Sequence, residues 1–492
     1  MDELMKPSLA NLAQLPCGIR KPAYNRADLS AGIVHIGLGN FHRAHQAWYR
    51  HRLFEAGIDH DWAIIGAGVR AGDAAQRDKL LAQDCLTTLI ELAPNGKSAE
   101  VCASMIDFLP VQEGNAALIA QMTDPRIRIV SLTVTEGGYY IDAATGGFNA
   151  AHPDIVHDAA HPDRPVTAFG AMIAALRQRR DGGTGPFTCL SCDNLQGNGA
   201  VLRQAVVALA RMSDMALAEW IGRTCSFPNS MVDCIVPATG AAEIALAKSF
   251  GIDDAVPVTH ENFRQWVLED DFCAGRPDWA RVGVTFSDNV HGFETQKIRV
   301  LNGGHQVIAA AGELLSLATI AETMAHPQIR ALLHKVVGEE VTPHMPRVPG
   351  YTPHEYLELV ERRFSNLEIA DTTRRVAFDG SSRQPGFIVP SIRKALDAGT
   401  PVSGLALVSA LWARYCEGTR EDGSPIAPND PNWATLHRVA KAARSTPATW
   451  LEMRQFYGDL ADDSRFADAF SRWLSLIYTS GVTSALAAYS DS

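Results

Sequence analysis

A stretch near the middle of the chain carries polar residues whose types and spacing fit the removal of a proton from an alcohol. Read as an α-helix that turns about 100° per residue, positions 294 to 305 place four polar side chains on less than half of the helix circumference. These are Glu294, Lys297, Asn302 and His305. Small apolar residues follow at 307–312, so the pattern predicts a buried helix. Gly303 and Gly304 each cost a helix about 1 kcal/mol, which predicts a close approach to the backbone.

The chemistry of these residue types is that of alcohol oxidation without a metal. Lys297 is the candidate general base, because an amine can take the hydroxyl proton when burial or a neighbouring cation brings its pKa toward neutrality. The amide of Asn302, with a second amide, would stabilise the oxygen as it becomes negative. His305 could orient that oxygen or the lysine, and Glu294 could relay the proton to solvent.

A glycine-rich turn between a strand and a helix fits dinucleotide binding. The apolar run Ile33–Ile36 predicts the strand, and a helical pattern runs from about 41 to 56. Gly37 permits a tight turn, and Gly39 lets the backbone approach a pyrophosphate at the helix N-terminus. The usual third glycine is replaced, which gives G-x-G-x-x-H. The candidate cofactor-binding residues of this turn are Gly37, Gly39, Asn40, Phe41 and His42.

The choice between NAD and NADP depends on two residues that follow the second predicted strand. Asp73 is the candidate acceptor for hydrogen bonds from the adenosine ribose, and its carboxylate would repel a 2′-phosphate. Arg70 has the opposite tendency, since an arginine can hold that phosphate. The pattern favours NAD, while the alternative that Asp73 is only a solvated turn residue stays open.

Alternating strands and helices organise the first half of the chain. Four apolar runs predict strands: Ile33–Ile36, Trp62–Ile65, Ile127–Val134 and Phe187–Leu190. Helical stretches lie between them, which is the pattern of a Rossmann-type, doubly wound α/β sheet. From about residue 294 helical periodicity dominates. We therefore predict an NAD-binding Rossmann-type domain over residues 1–290 and a mainly α-helical substrate and catalytic domain over residues 291–492.

The composition excludes several classes of function. The chain has 44 Lys and Arg against 55 Asp and Glu, and its net charge of −11 does not attract nucleic acid or an anionic membrane surface. No apolar run reaches the length of about 18 residues that a membrane span needs, and no signal peptide is recognised. These observations predict a cytoplasmic protein.

Cys189 and Cys192 form a lone C-x-x-C, which favours two small core residues over a metal or redox site.

The ordered motifs of the chain resemble the long-chain mannitol dehydrogenase family. The segments that carry the resemblance are GIVHIGLGNFHRAHQ, SLTVTEGGYY, SCDNLQGNG, SFPNSMVDCIVP, FRQWVLED, GRPDW and KIRVLNGGH. They run along essentially the whole chain, and K-x-x-x-x-N-G-x-H is the most specific. The resemblance implies a metal-independent enzyme that uses NAD to interconvert a polyol such as D-mannitol and a ketose such as D-fructose. Members of this family include monomers, which favours a monomer here.

The resemblance also implies a role for each site residue. Lys297 would be the general base, while Asn302 and Asn194 would form the oxyanion hole. His305 would contact the substrate near the reacting oxygen, and Glu294 would gate the proton path. The residues that would bind the polyol hydroxyls are Asp233, Arg375 and Arg383. Arg383 stands where the polyol enzymes of the family carry a lysine, so the detailed substrate contacts stay open.

Other functions compete with this interpretation. A hexuronate reductase of the same family, acting on fructuronate or tagaturonate, would need a cationic partner for a carboxylate, and Arg375 and Arg383 could provide it. Arabinitol and sorbitol are further candidate substrates. A nucleotide-binding regulator without catalysis is disfavoured by the presence of the lysine and its polar neighbours. A zinc-dependent alcohol dehydrogenase is disfavoured because the sequence has no evident ligand cluster.

Overall fold

A computed structural model describes residues 4–142 and 145–492. The chain separates into two compact units, an N-terminal unit over Met1–His291 and a C-terminal unit over Gly292–Ser492. Within the described residues, no helix combines the length and the apolar character that crossing a membrane requires.

The strands of the described chain all lie in the N-terminal unit, and most of them are short. They are β1 (Ile19–Arg20), β2 (Ala31–Ile36), β3 (Ala63–Ala67), β4 (Thr87–Ala93), β5 (Gly96–Cys102), β6 (Met105–Phe108), β7 (Ile129–Leu132), β8 (Thr188–Ser191), β9 (Ser230–Asp233), β10 (Val258–Glu261), β11 (Gln265–Leu268) and β12 (Thr285–Phe286). They form three sheets, of which the largest positions the nucleotide turn.

The central sheet has the strand order β6-β3-β2-β7-β8, and every neighbouring pair is parallel. Val34 in the middle strand lies opposite Ile65 on one side and Val130 on the other. The strand order reverses between β2 and β7, and open α/β sheets bind ligands at the carboxyl ends of the strands at such a point. The predicted Rossmann-type sheet is confirmed, and the four predicted strands correspond to β2, β3, β7 and β8 within a few residues at their ends.

Two smaller sheets accompany the central one and were not predicted. In one, the antiparallel hairpin of β4 and β5 is flanked by β1 and β10, each parallel to its neighbour. In the other, β11 lies between β9, which is antiparallel to it, and β12, which is parallel. The second of these sheets carries Asp233 at the end of β9.

Helices cover the central sheet of the N-terminal unit. Those described are α1 (Asn40–Ala44), α2 (Gln46–Glu55), α3 (Asp73–Leu81), α4 (Ala116–Thr123), α5 (Pro153–Ala160), α6 (Ala168–Asp181), α7 (Asn198–Ser213), α8 (Met215–Thr224) and α9 (Ala241–Ser249). The single helix predicted over about 41–56 is wrong, since His45 has φ −118° and ψ −86° and separates α1 from α2. Its Nε2 lies 2.9 Å from the carbonyl oxygen of Gln265, a bond that holds the ring at this break.

The C-x-x-C pair lies inside the N-terminal unit. Cys189 and Cys192 are both at most 1 % exposed, and they belong to different apolar clusters on the two sides of the central sheet. Burial raises the pKa of both thiols well above the usual value. Both cysteines are free thiols, so the structure supports the prediction of two small core residues.

The C-terminal part of the chain is helical, as predicted. From residue 290 onward its α-helices are α10 (Val290–Gln296), α11 (Gly303–Leu314), α12 (Ile320–Ala325), α13 (Pro327–Lys335), α14 (Pro353–Phe364), α15 (Thr373–Ala377), α16 (Gly380–Arg383), α17 (Val389–Asp397), α18 (Ser403–Tyr415), α19 (Trp433–Ala443), α20 (Ala448–Leu451), α21 (Arg454–Tyr457), α22 (Ser464–Ser480) and α23 (Val482–Ser490). Three π-helical segments interrupt the series: Lys297–Asn302, Val336–Val341 and Gln384–Ile388. Helices α11 and α18 are buried along most of their length and form the core of this unit.

Candidate active site

Lys297 begins a π-helical segment that connects α10 to α11. This segment runs from Lys297 to Asn302, and its i→i+5 hydrogen bonds widen the turn. The assumption of a regular α-helix over 294–305 is therefore wrong, and the angles derived from it do not hold across the segment. Lys297 is 8 % exposed and Glu294 is 5 % exposed, so both side chains are buried in the structure. Insertions of this kind in α-helices are frequent at functional sites.

His305 is the exception in an otherwise buried helix. The other residues of α11, from Gly303 to Leu314, are all buried, whereas His305 is partly exposed. Its ring stacks on Phe364 with centroids 4.1 Å apart and planes 16° apart. Its Nε2 is buried and has no hydrogen-bond partner among residues 4–142 and 145–492. Burial lowers the pKa of His305 to about 3, so the ring is neutral near pH 7.

The two glycines before His305 differ in the space around them. A Cβ at Gly304 would lie 3.3 Å from Leu333 Cδ1, which is tight, and 3.5 Å from the Phe364 ring, which is ordinary contact. A Cβ at Gly303 would make only ordinary contacts of 3.5 Å or more. The predicted close approach is therefore found at Gly304, where the Leu333 side chain comes near the helix.

The charges of Arg375, Arg383 and Asp371 act on the His305 ring: the two arginines lower its pKa and the aspartate raises it. Arg375 pairs with Asp371 through two hydrogen bonds, each 2.5 Å long. Arg383 donates a 2.7 Å hydrogen bond to the carbonyl oxygen of Val376. The C-terminal unit thus brings three predicted site residues together, and Asp371 and Phe364 were not predicted from the sequence.

Gly37 and Gly39 have different roles in the turn after β2. Gly37 has φ +96°, and a Cβ there would lie 2.2 Å from the carbonyl oxygen of Thr133. Only glycine therefore fits where the turn passes the end of β7. A Cβ at Gly39 would meet no heavy atom within 4 Å, so the backbone there faces open space. Asn40 follows, and its amide donates to the carbonyl oxygen of Pro237 and to Thr239 Oγ1, both at 2.9 Å.

Three other predicted cofactor residues have side chains that are already engaged or buried. His42 is 1 % exposed and stacks on His35 with ring centroids 3.4 Å apart, so only its backbone is suited to contact a cofactor. Phe41 stacks on His45 at 4.9 Å. Asp73 Oδ2 accepts hydrogen bonds of 3.0 Å from the backbone N–H groups of Val69 and Arg70. This carboxylate orders the turn after β3, and its contact with a ribose stays a prediction.

The loops after β7 and β8 are tied together by Asp193. Its carboxylate accepts hydrogen bonds from the N–H groups of Val134 (3.1 Å) and Thr135 (2.8 Å) and from the Tyr139 hydroxyl (2.7 Å). Thr135 has φ +67°, which is unfavourable for a residue with a side chain. The carboxylate of Asp193 holds this loop in place, and Asn194 follows directly.

The carboxyl edge of the central sheet therefore collects the turn glycines and Asn194. Thr133 Oγ1 donates to the carbonyl oxygen of Gly37, which links the end of β7 to the glycine turn. Asp193 and Thr133 were not predicted as site residues. Both residues lie just after a buried strand, and this position is the sequence feature that could have identified them. Asp233 is 4 % exposed at the end of β9. No group of three or more potential metal ligands occurs in the described part of the chain.

Both parts of the chain match models of one protein family. The family model for the mannitol dehydrogenase Rossmann domain matches residues 31–281, and that for the mannitol dehydrogenase C-terminal domain matches residues 289–478. The chain belongs to the mannitol dehydrogenase family. It is 57 % identical to mannitol 2-dehydrogenase of Cereibacter sphaeroides over 95 % of this chain and 98 % of that protein. It is 39 % identical to mannitol 2-dehydrogenase of Aspergillus terreus over 99 % of each.

Two solved structures are similar in fold to this chain, and one of them contains NAD. The ternary complex of Pseudomonas fluorescens mannitol 2-dehydrogenase with NAD and D-mannitol is similar with a TM-score of 0.85, at 41 % identity over 99 % of each chain. A substrate-free D-sorbitol dehydrogenase is similar with a TM-score of 0.92, at 34 % identity over 98 % of this chain and 100 % of that one. This member of the family is an NAD-dependent polyol dehydrogenase.

The two turn glycines make a testable contrast. We expect Gly37→Ala to lower the free energy of unfolding by about 2–4 kcal/mol, because it combines a strained φ with a clash against backbone. We expect Gly39→Ala to keep the unfolding midpoint and to weaken NADH binding at least tenfold, because its methyl group would enter the space that the pyrophosphate needs. Thermal unfolding and NADH fluorescence titration measure both. Wild-type NADH affinity in Gly39→Ala would contradict this account of the turn.

Proposed function

We propose that this enzyme oxidises D-mannitol to D-fructose with NAD, catalyses the reverse reduction, and uses Lys297 as the general base without a metal. The observation that carries the proposal is a lysine buried at the start of a π-helical turn that ends at Asn302. Three residues later, His305 has a buried ring nitrogen without a partner in the described chain. The names of its mannitol 2-dehydrogenase relatives support the choice of substrate.

The N-terminal unit fits the dinucleotide. Gly37 can be only glycine, and the backbone at Gly39 faces open space beside the start of α1. The free N–H groups at such a turn suit a pyrophosphate. NAD, when bound, supplies the acceptor for the hydride that leaves the carbinol carbon. We assign the predicted NAD-binding role to this unit, with Asp73 at the ribose, and the predicted substrate and catalytic role to the C-terminal unit.

Lys297 takes the hydroxyl proton in this proposal. A base with a pKa near the working pH is most effective. His305 is a poor base because burial lowers its pKa to about 3. The neutral His305 ring instead hydrogen-bonds the substrate oxygen through Nε2. Asn302 and Asn194 donate to the same oxygen as its negative charge develops, and Glu294 passes the proton onward.

The polyol hydroxyls are bound by Asp233, Arg375 and Arg383 in this proposal. Arg375 does not favour a hexuronate substrate, because its charge is already paired with Asp371 through two hydrogen bonds. Arg383 donates to the backbone oxygen of Val376. Both guanidinium groups still have N–H groups to donate to hydroxyls. The prediction of a monomer is kept as part of the proposal.

A substrate and cofactor panel tests this proposal. We expect the highest kcat/KM with D-mannitol and NAD, a rate on D-mannonate at least 100-fold lower, and D-fructose reduction with NADH. Incubation with a strong chelator should leave the rates unchanged. The measurement is the nicotinamide absorbance for D-mannitol, D-sorbitol, D-arabinitol and D-mannonate, each with NAD and NADP. Preference for D-mannonate would replace the proposal with a hexuronate reductase, and loss of activity that zinc restores would replace the metal-independent mechanism.

A further inference from the structure

A small cavity lies inside the N-terminal unit between α2 and the central sheet, and the proposed reaction does not use it. Its volume is about 10 Å³, which is room for the centre of one water-sized particle. Part of its wall is apolar, formed by residues of β2, β3, β7 and β8. The polar part is formed by His42, Gln46, Arg50, Ser131, Trp266 and Trp279. Each of these six residues is at most 5 % exposed.

The polar wall presents hydrogen-bond donors that have no acceptor. Both terminal nitrogens of Arg50, the indole nitrogens of Trp266 and Trp279, and the amide nitrogen of Gln46 are buried without a partner in the described chain. Buried polar groups in proteins are nearly always paired. The neutral ring of His42 adds one further N–H donor. The unpaired acceptors are fewer, namely Gln46 Oε1 and the unprotonated nitrogen of the same ring. Six unpaired donors on one small cavity indicate a missing acceptor.

The cavity also carries a positive charge, which an anion would compensate. Arg50 is 1 % exposed, and burial lowers its pKa to about 9, so it is still a cation at pH 7. Asp59 and Asp61 attract it only from a distance, since neither forms an ion pair with it in the described chain. Its guanidinium carbon lies 4.6 Å from the centre of the Trp279 ring, which offsets part of the charge. A buried charge normally requires a full partner.

The nearest ionisable groups do not supply that partner. Burial lowers the pKa of His42 well below its usual value, and the stacked His35 is lowered to about 3, so both rings are neutral. His35 is already engaged with Ser131 Oγ at 2.7 Å and Thr133 Oγ1 at 2.8 Å. A water molecule would accept only two of the donors and would leave the charge of Arg50 uncompensated.

We propose that this cavity binds one small monovalent anion, such as chloride, as a structural ligand. The anion accepts hydrogen bonds from Arg50, from the two indole N–H groups and from the Gln46 amide. It compensates the buried charge and joins α2 to β11 and to the segment that carries Trp279. Because it binds the folded state alone, it stabilises that state by mass action.

The test measures thermal unfolding as chloride replaces methanesulfonate at constant ionic strength, from 0 to 100 mM. We expect the wild-type midpoint to rise by about 2–4 °C. Arg50→Met should fold, since apolar replacements of buried charges are tolerated, and should lose the chloride dependence. Trp279→Phe keeps a ring but removes one donor, and should need at least tenfold more chloride for the same shift. Arg211→Met, at an exposed site, should respond like the wild type.

Crystals grown in bromide provide the second measurement. We expect an anomalous peak in this cavity in the wild type and none in Arg50→Met. The proposal is overturned if the cavity holds only water, or if bromide binds at crystal concentration only and chloride does not shift the unfolding midpoint. An equal chloride response of the wild type and Arg50→Met would also overturn it. If Arg50→Met does not fold, the response of Trp279→Phe decides.

Discussion

Replacing Lys297 with alanine is expected to lower kcat for D-mannitol oxidation by about 1,000-fold, with a smaller change in KM. Proton transfer by a positioned base contributes roughly 100- to 10,000-fold to a rate, and Lys297 is buried where bulk water does not readily replace it. Lys297→Arg should be about as slow as Lys297→Ala, because a guanidinium keeps the charge but does not lose its proton in proteins. Steady-state kinetics with NAD and D-mannitol measure all three enzymes.

Two controls give this result its meaning. Lys441→Ala removes an exposed lysine from α19 and should have wild-type kinetics. NADH titration should show that Lys297→Ala binds the cofactor normally, since the proposal assigns cofactor binding to the glycine turn after β2 and proton transfer to Lys297. A Lys297→Arg enzyme with nearly wild-type kcat would mean that Lys297 contributes charge and not proton transfer.

Replacing Asn302 with alanine is expected to lower kcat by about 100- to 1,000-fold while KM changes little. One hydrogen bond to a developing oxyanion is worth this much, and a bond formed only in the transition state affects kcat and kcat/KM equally. Asn302 ends the π-helical turn that begins at Lys297. The proposed base and the proposed oxyanion donor therefore stand at the two ends of one helical turn. Asn194→Ala, in the N-terminal unit, should show the same pattern.

The matched control for Asn302 is an exposed amide. Asn95 lies at the turn between β4 and β5, and Asn95→Ala should leave kcat unchanged. An increase in KM without a loss of kcat in Asn302→Ala would assign this amide to ground-state binding. The circular dichroism spectrum of Asn302→Ala should match that of the wild type, because Asn302 is only partly buried.

The central sheet could be predicted because its strands are buried on both faces and therefore appear as continuous apolar runs. Val34, Ile65 and Val130 are in such runs and lie side by side. The hairpin of β4 and β5 carries the exposed polar residues Lys97 and Ser98, so it lacked this signal. The break at His45 was missed because the helical pattern continues on both sides, while a bond to Gln265, 220 residues away, fixes the ring.

The site could be predicted in its residue types but not in its local geometry. The spacing of Lys297, Asn302 and His305 identified the segment, yet nothing in the sequence distinguishes a π-helical turn from an α-helical one. Asp193 was missed because its contacts join two loops that are about 60 residues apart. His42 was predicted to bind the cofactor, whereas its ring is buried against His35. In each case a tertiary contact decided the outcome.

Rescue of the Lys297→Ala enzyme by small primary amines is the most direct measurement of the claim that this side-chain amine accepts the hydroxyl proton. We predict that methylamine or ethylamine at high concentration raises kcat at least tenfold in proportion to the free amine, and that the same amines do not raise the rate of Asn302→Ala. No rescue by any amine that fits the vacated space, or an equal increase in Asn302→Ala, would contradict the assignment of Lys297 as the base.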